Sequence, residues 1–237
     1  MNNIHILNII HVNIVSGGLS NTFMEYIFFN DASRLKGVNI PKSQVGFRKM
    51  SRICKSAETL FSRKGFYDTS VSDICKHAKT AIGTFYIYFQ DKTAIYHYLV
   101  RNYYVVIKKH LSKSIANCQT RYEMEKEGLK VFIRFGLANP QVYKIIWGSS
   151  HIDPDLFADY YTRFARGYII ALRKFHKELN TTDYSTAAWV LMGASTFIAL
   201  KTVLSRKKLS SKDINNLVDE VMKMLSQGLF RQGKVSS

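Results

Sequence analysis

Between residues 70 and 92 the chain concentrates side chains suited to gripping a polyanion without reacting with it. Thr80, Thr84, Tyr86 and Tyr88 carry hydroxyls that can donate to phosphate oxygens or to base edges. Ala81, Gly83 and Thr84 are small, so the backbone between them can come close to a ligand surface. Ile82 and Ile87 are apolar neighbours in the same stretch, and Ile87 can meet a thymine methyl. Ser70 and Ser72 offer hydroxyls at the start of a preceding helix, where free backbone N–H groups also favour an anion. Lys92, just downstream, supplies a cation for a further phosphate contact. Together these residue types predict hydrogen bonding and charge pairing with nucleic acid.

Short helices must position these groups. Ile53, Ala57, Leu60 and Phe61 recur at i, i+4, i+7 and i+8, one apolar stripe of a helix that Gly65 ends. Ser70 with Asp73 three residues later makes a capping box for a second helix, whose apolar side is Val71, Ile74, Cys75 and Ala78. Lys79-Thr80 turns the chain into a third helix ending near Phe89, in which Phe85 and Phe89 read as core. Asp91 can cap a long helix from Lys92 to about Ser114. Two short helices joined by a tight turn, after a scaffold helix, form a helix-turn-helix, whose second helix enters the major groove. Further helices are expected near 121–138, 140–149, 153–179, 183–205 and 211–231. Pro140 and Pro154 sit where a helix tolerates them, in the first turn.

The fold class is therefore all-α. Residues 1–46, a mixture of Ile, Asn, Gly and Phe without helical periodicity, read as an N-terminal extension of low order. Residues 47–92 are the helix-turn-helix domain, linked by the helix at 92–114 to a C-terminal helical domain over 115–237. Thirty-four Lys+Arg stand against 17 Asp+Glu, an excess spread along the chain that suits a polyanionic partner. The three cysteines show no CxxC, so neither a disulfide framework nor a zinc site is expected, and a reducing cytoplasmic setting follows. No apolar run long enough to span a bilayer is apparent, and the Ile-rich start lacks a basic n-region. No cofactor, metal or membrane partner is expected. GxSxG, HExxH, P-loop and Rossmann signatures are absent and the seven histidines are scattered, which argues against an enzyme.

The order Ala57-x-x-Leu60-Phe61-x-x-Lys64-Gly65-Phe66-Tyr67-x-Thr69-Ser70-Val71-x-x-Ile74, followed by Ile82-Gly83-Thr84-Phe85-Tyr86-Ile87-Tyr88-Phe89-x-Asp91-Lys92, resembles the N-terminal domain of the TetR family of bacterial regulators. The resemblance covers about residues 48–100. It implies a homodimer that binds a palindromic double-stranded operator through Ser70, Ser72, Thr80, Ile82, Gly83, Thr84, Tyr86, Ile87, Tyr88 and Lys92. Two departures bear on recognition. Ile82 stands where the family often has Lys, and Ala81 replaces a frequent Ser cap.

The same resemblance implies that the C-terminal helices enclose a small-molecule inducer and dimerise. Phe132, Phe135, Tyr143, Trp147, Tyr161, Phe164 and Trp189 suit a lipophilic or aromatic ligand, with Arg134, His151 and Arg163 as candidate polar anchors. Ala187, Leu191, Ala194 and Ile198 on one helix, with Val218, Val221, Met222 and Leu225 on the next, form stripes suited to a two-fold interface. Ligand binding is expected to shift the helix from Lys92 and so release DNA. The competing readings are a structural DNA-binding protein of this fold without an inducer and, further off, an all-α enzyme.

Overall fold

Helix α1, Gln44–Lys64, begins where Ser43 turns out of the helix and accepts a hydrogen bond from the Gly46 N–H. It ends where Gly65 takes φ +88 and returns its N–H to the Phe61 carbonyl, the left-handed C-terminal stop expected of this glycine. Met50, Ile53, Ala57, Leu60 and Phe61 all face inward. The computed structural model describes the backbone of Val12–Asn13, Phe28–Phe29 and residues 35–205 and 207–228. The two short segments pair antiparallel, Val12 opposite Phe29 and Asn13 opposite Phe28. For the rest of residues 1–34, the expected low-order extension lies outside the described residues.

Residues 35–46, assigned to the same extension, are ordered structure. Leu35 and Val38 are buried, and Val38 bridges to Phe89. Periodicity alone starts the helix at Phe47, three residues late, because its true start is marked by a lone Ser43 cap with no acidic residue in the first turn.

Among the described residues nine α-helices follow: α1, then α2 (Val71–His77), α3 (Ile82–Tyr88), α4 (Lys92–Ser114), α5 (Arg121–Ala138), α6 (Pro140–Ile152), α7 (Pro154–Lys174), α8 (Tyr184–Ser205) and α9 (Ser211–Gln227). A 3-10 turn at His176–Glu178 follows α7, so the helix predicted to reach 179 stops five residues earlier. By packing the helices divide into two units that do not follow the sequence boundaries. One comprises the N-terminal residues to Lys108 together with Asn139–Phe164; the other comprises Lys109–Ala138 and the chain from Ala165 onward.

In the first unit, α2 and α6 pack on α1, and α3 on α1 and α2. The core is aromatic and aliphatic, with Phe85, Phe89, Tyr96, Tyr98, Leu99 and Tyr103 fully buried. Polar bonds tie α6 to the helix-turn-helix scaffold. Buried Glu58 of α1 accepts from Tyr103 Oη of α4 at 3.1 Å and from Gln141 Nε2 of α6 at 3.2 Å. Lys144 Nζ donates to the Ser62 carbonyl at 3.3 Å, and Tyr96 Oη to the Ile145 carbonyl at 2.5 Å. The bonds to Glu58 and to the Ile145 carbonyl satisfy buried acceptors, while the Lys144 bond lies at the surface. Asp153 starts α7 by accepting from the Leu156 N–H, and its other oxygen meets His97 Nε2 of α4 at 2.8 Å. Burial holds the His97 imidazole below its ordinary value, with the Asp153 carboxylate pulling the other way.

In the second unit, α5 packs against α8 and α9. Val218, Val221 and Met222 of α9 are buried with Ile214, so these three residues close this unit's own core instead of forming the dimer stripe expected of them. On α8 the inward face is narrow and largely small (Ala188, Met192, Ala199, Thr202), the stripe expected at the dimer, Ala187, Leu191, Ala194 and Ile198, is half-buried, and Trp189, Val190, Phe197 and Leu204 stand exposed. Among the described residues α8 is the one helix long and apolar enough to cross a membrane by length and composition. A search for unbroken apolar runs passes over it, because scattered Ser and Thr interrupt the run without lowering its overall apolar character. A buried ion pair, Arg121–Glu125, lies under Tyr168, whose hydroxyl donates to Glu125 Oε1 at 3.0 Å. Burial raises the Glu125 carboxyl above its ordinary range, and the Arg121 guanidinium opposes it.

Candidate nucleic-acid interface

The capping box of α2 is complete. Ser70 Oγ accepts from the Asp73 N–H at 3.0 Å while Asp73 Oδ2 accepts from the Ser70 N–H at 3.1 Å. These bonds hold the Asp73 carboxyl below its ordinary range. Ser70 and Ser72 are both exposed at this helix start. The turn to α3 runs through Lys79 at φ +49, a left-handed conformation that a lysine adopts at a cost of about 1–2 kcal/mol. The Thr80 N–H then bonds back to the Cys75 carbonyl at 3.0 Å, fixing the angle between the two helices.

Helix α3 sorts its residues by face. Phe85, Tyr88 and Phe89 point inward, at i, i+3 and i+4. Ile82, Tyr86 and Ile87 point out, with 48%, 55% and 57% of their surface exposed. Gly83 lies on the outer face, and a Cβ built there would find no atom within 4 Å. The chain's own packing therefore does not require glycine at this position. Thr80 and Thr84 are half-buried at the rim. Ala81 makes no side-chain cap bond, as its identity predicts.

Two residues expected at this surface have other positions. Tyr88 is only 6% exposed and belongs to the inner face, because it follows Phe85 by three residues. Lys92 turns its ammonium inward, donating to the Phe66 carbonyl at 2.7 Å and the Tyr67 carbonyl at 3.4 Å, 4.3 Å above the Phe66 ring. It braces the α1–α2 loop by charge-assisted bonding and cation–π attraction. That loop presents Tyr67, a largely exposed aromatic three residues before Ser70 that is not among the expected contacts. A signal for it exists, since a bulky aromatic in a tight loop has little reason to be there for packing.

The residues proposed to hold a ligand fall into both units. Tyr143, Trp147, Tyr161 and Phe164 come together in the first. Tyr160 bridges them, with ring centres 5.2 Å from Tyr161 and 5.2 Å from Phe164, and Tyr104 joins at 4.7 Å from Phe164. The Trp147 side chain donates a hydrogen bond to the Tyr161 hydroxyl, which burial otherwise pushes up in pKa. The Tyr143 hydroxyl is buried and has no hydrogen-bond partner among the described residues, and burial raises its pKa as well. Phe132 and Phe135 lie on α5 in the second unit, and Trp189 stands 49% exposed on α8. The three expected anchors do not face inward. Arg134 and His151 are exposed, and Arg163 pairs with Asp159 at 2.6 Å.

A helix-turn-helix whose second helix exposes Ile82, Gly83, Tyr86 and Ile87, mounted on an all-α scaffold, defines a class of nucleic-acid-binding fold. Residues 53–99 match the profile described as bacterial regulatory proteins, tetR family. An uncharacterised HTH-type transcriptional regulator of Bacillus subtilis, YdgC, is 38% identical over 64 residues, 27% of this chain and 33% of that protein. The chain thus matches about a third of this curated relative's length. Two solved structures share the fold over most of both chains. The fatty acid degradation regulator FadR from Bacillus halodurans superposes with TM-score 0.68 at 18% identity, covering 81% of this chain and 100% of that one. A TetR family transcription regulator from Marinobacter aquaeolei superposes with TM-score 0.64 at 16% identity, covering 76% and 96%. Over residues 53–99, the stretch that holds the helix-turn-helix, the chain is thus similar to the bacterial regulatory proteins of the tetR family.

Proposed function

We propose that the chain is a cytoplasmic DNA-binding transcriptional regulator that acts as a homodimer and lets go of a palindromic operator when a small apolar or aromatic ligand binds. The observation that carries this reading is the outer face of α3, where Ile82, Gly83, Tyr86 and Ile87 stand exposed together although packing could have buried the larger three. Such a face fits a major groove, with Tyr86 and the rim threonines contacting phosphate or base edges. The exposed stripe of α8 supports the dimer, because apolar side chains of this size left in water favour a second copy.

The aromatic cluster around Tyr160 supports ligand binding in the first unit. Its unpartnered Tyr143 hydroxyl is a hydrogen-bonding group that a ligand can satisfy. A neighbour named for fatty acid degradation is in keeping with a lipophilic effector. Tyr143 and Trp147 sit on α6, and α6 is bonded to α1 through Gln141–Glu58 and Lys144–Ser62. Ligand-driven movement of α6 therefore reaches the scaffold helix directly, in addition to the route through α4.

The test is fluorescence anisotropy on DNA from upstream of the protein's own gene, with mixed-sequence duplex as competitor. Tight binding that survives competitor, is lost in Tyr86→Ala and is retained in Arg134→Ala supports specific regulation. Equal, salt-labile binding to both duplexes leaves only attraction to a polyanion and refutes operator recognition on that fragment.

A further inference from the structure

The segment before α1 is built onto the recognition helix. A seven-residue helix leaves its last carbonyls without partners inside the helix. Asn39 supplies two of them: its backbone N–H donates to the Tyr88 carbonyl at 2.8 Å and its side-chain amide donates to the Ile87 carbonyl at 3.0 Å. The Gln90 N–H in turn donates to the Gly37 carbonyl at 2.8 Å, and Val38 bridges to Phe89. Gly37 adopts φ +76, and a Cβ there would meet Gln90 Oε1 at 3.0 Å and the Ala94 Cβ at 3.3 Å, so glycine is required by both backbone and space. Pro41 packs so closely on Gly46 that a Cβ at that position would lie 2.6 Å from it. The segment is thus fixed at both of its ends.

Its charge is one-sided. Residues 35–52 contain Lys36, Lys42, Arg48, Lys49 and Arg52 and no carboxylate. All five are exposed, and none forms an ion pair among the described residues. A rigid cationic segment has little reason to lie beside the end of a groove-reading helix for stability alone, since like charges crowd there. A phosphodiester backbone flanking that groove supplies the missing counter-charge.

We propose that residues 36–42 form a second DNA-contacting element, an anchored strap beside the C-terminal end of α3 that sets Lys36 and Lys42 against phosphates flanking the groove that α3 enters. The proposal rests on the DNA-binding reading above. Asn39 and Gly37 are positioning residues in it, and the two lysines are the contacts.

Binding of the full chain to a mixed-sequence duplex, followed by anisotropy across about 0.05–0.2 M salt, tests it, because phosphate contacts need no particular sequence. The slope of log affinity against log salt drops by about 0.9 for each phosphate no longer neutralised, hence by about 1.8 per bound subunit in Lys36→Gln/Lys42→Gln. Lys207→Gln/Lys208→Gln, an exposed pair in the other unit, keeps the wild-type slope. Gly37→Ala leaves the charge unchanged but frees the strap, and lowers the slope toward that of the double lysine variant. An unchanged slope in Lys36→Gln/Lys42→Gln, or an equal drop in both lysine pairs, overturns the strap. An unchanged slope in Gly37→Ala overturns its anchoring. Wild-type protein with no salt-dependent affinity for duplex DNA would refute the DNA-binding reading itself, and the strap with it.

Discussion

Replacing Gly83 by alanine separates what this position does for the fold from what it does for binding. Gly83 lies in the first turn of α3 with no atom within 4 Å of where a Cβ would be, and its φ is not left-handed. An added methyl therefore meets nothing in the protein, and the backbone entropy removed from the unfolded chain stabilises the fold by about 0.5–1 kcal/mol. On the DNA the same methyl stands between Ile82 and Tyr86 on the exposed face, where the backbone must come near phosphate or base edges. Disrupting one base-edge interaction there, worth about 1–3 kcal/mol, weakens operator binding by about 5- to 150-fold. The stability side is read by urea denaturation with Trp147 fluorescence in a Trp189→Phe background, because Trp147 belongs to the same packed unit as α3 and the chain has two tryptophans. The binding side is read by anisotropy on the operator fragment. A variant that is more stable and binds less tightly fits the assignment of this face. A variant more stable with unchanged affinity would show that α3 does not approach DNA through Gly83, and the outer-face assignment would fail.

Three other outcomes are expected. Tyr103→Phe removes a donor from buried Glu58 and costs about 1.5–3 kcal/mol, whereas Tyr103→Phe/Glu58→Met, which removes the charge as well, is less destabilised than the single variant in the same urea assay. Burial depresses the His97 pKa, so the unfolded state takes up its proton first as pH falls. The stability linked to His97 is therefore intact above its ordinary value near ~6.5 and is lost as pH drops below it; Tm falls between about pH 7.5 and 5.5, and falls less in His97→Gln. Phe197→Glu on the exposed face of α8 yields a monomer by light scattering with its helical circular dichroism preserved, while a persistent dimer would move the interface elsewhere.

Periodicity and capping make the helix-turn-helix legible without coordinates. Ile53, Ala57, Leu60 and Phe61 are buried as their spacing requires, Gly65 ends α1, and Ser70 with Asp73 opens α2. Faces of short helices are harder to read. In seven residues of α3 two tyrosines two positions apart must point to different sides, and composition cannot say that Tyr86 is the outer one and Tyr88 the inner. Lys92 reads as a phosphate contact because a lysine at a helix start looks free; carbonyls brought from the α1–α2 loop occupy it. The stripe of α9 misleads for a related reason. An apolar stripe says that something covers it but not what, and Val218, Val221 and Met222 are covered by their own chain. The arm at 35–42 carries no periodic signal at all, since its order comes from bonds to residues about fifty positions away.

The unit that carries the helix-turn-helix is assembled from two separated stretches of chain, with α6 and the first part of α7 supplied only after Asn139. During synthesis the scaffold helix α1 emerges long before the partner that covers it. Until α6 has been made, Glu58 lacks its Gln141 donor and the surface that Val142 and Ile145 will bury stays wet. Bringing the second stretch back across the intervening residues 109–138 costs about 3 kcal/mol in loop entropy beyond a length-independent constant, modest beside the burial it completes. A fragment cut after the linker helix is consequently a poor stand-in for the native DNA-reading unit, and its exposed α1 surface is a place where nascent or truncated chains would aggregate.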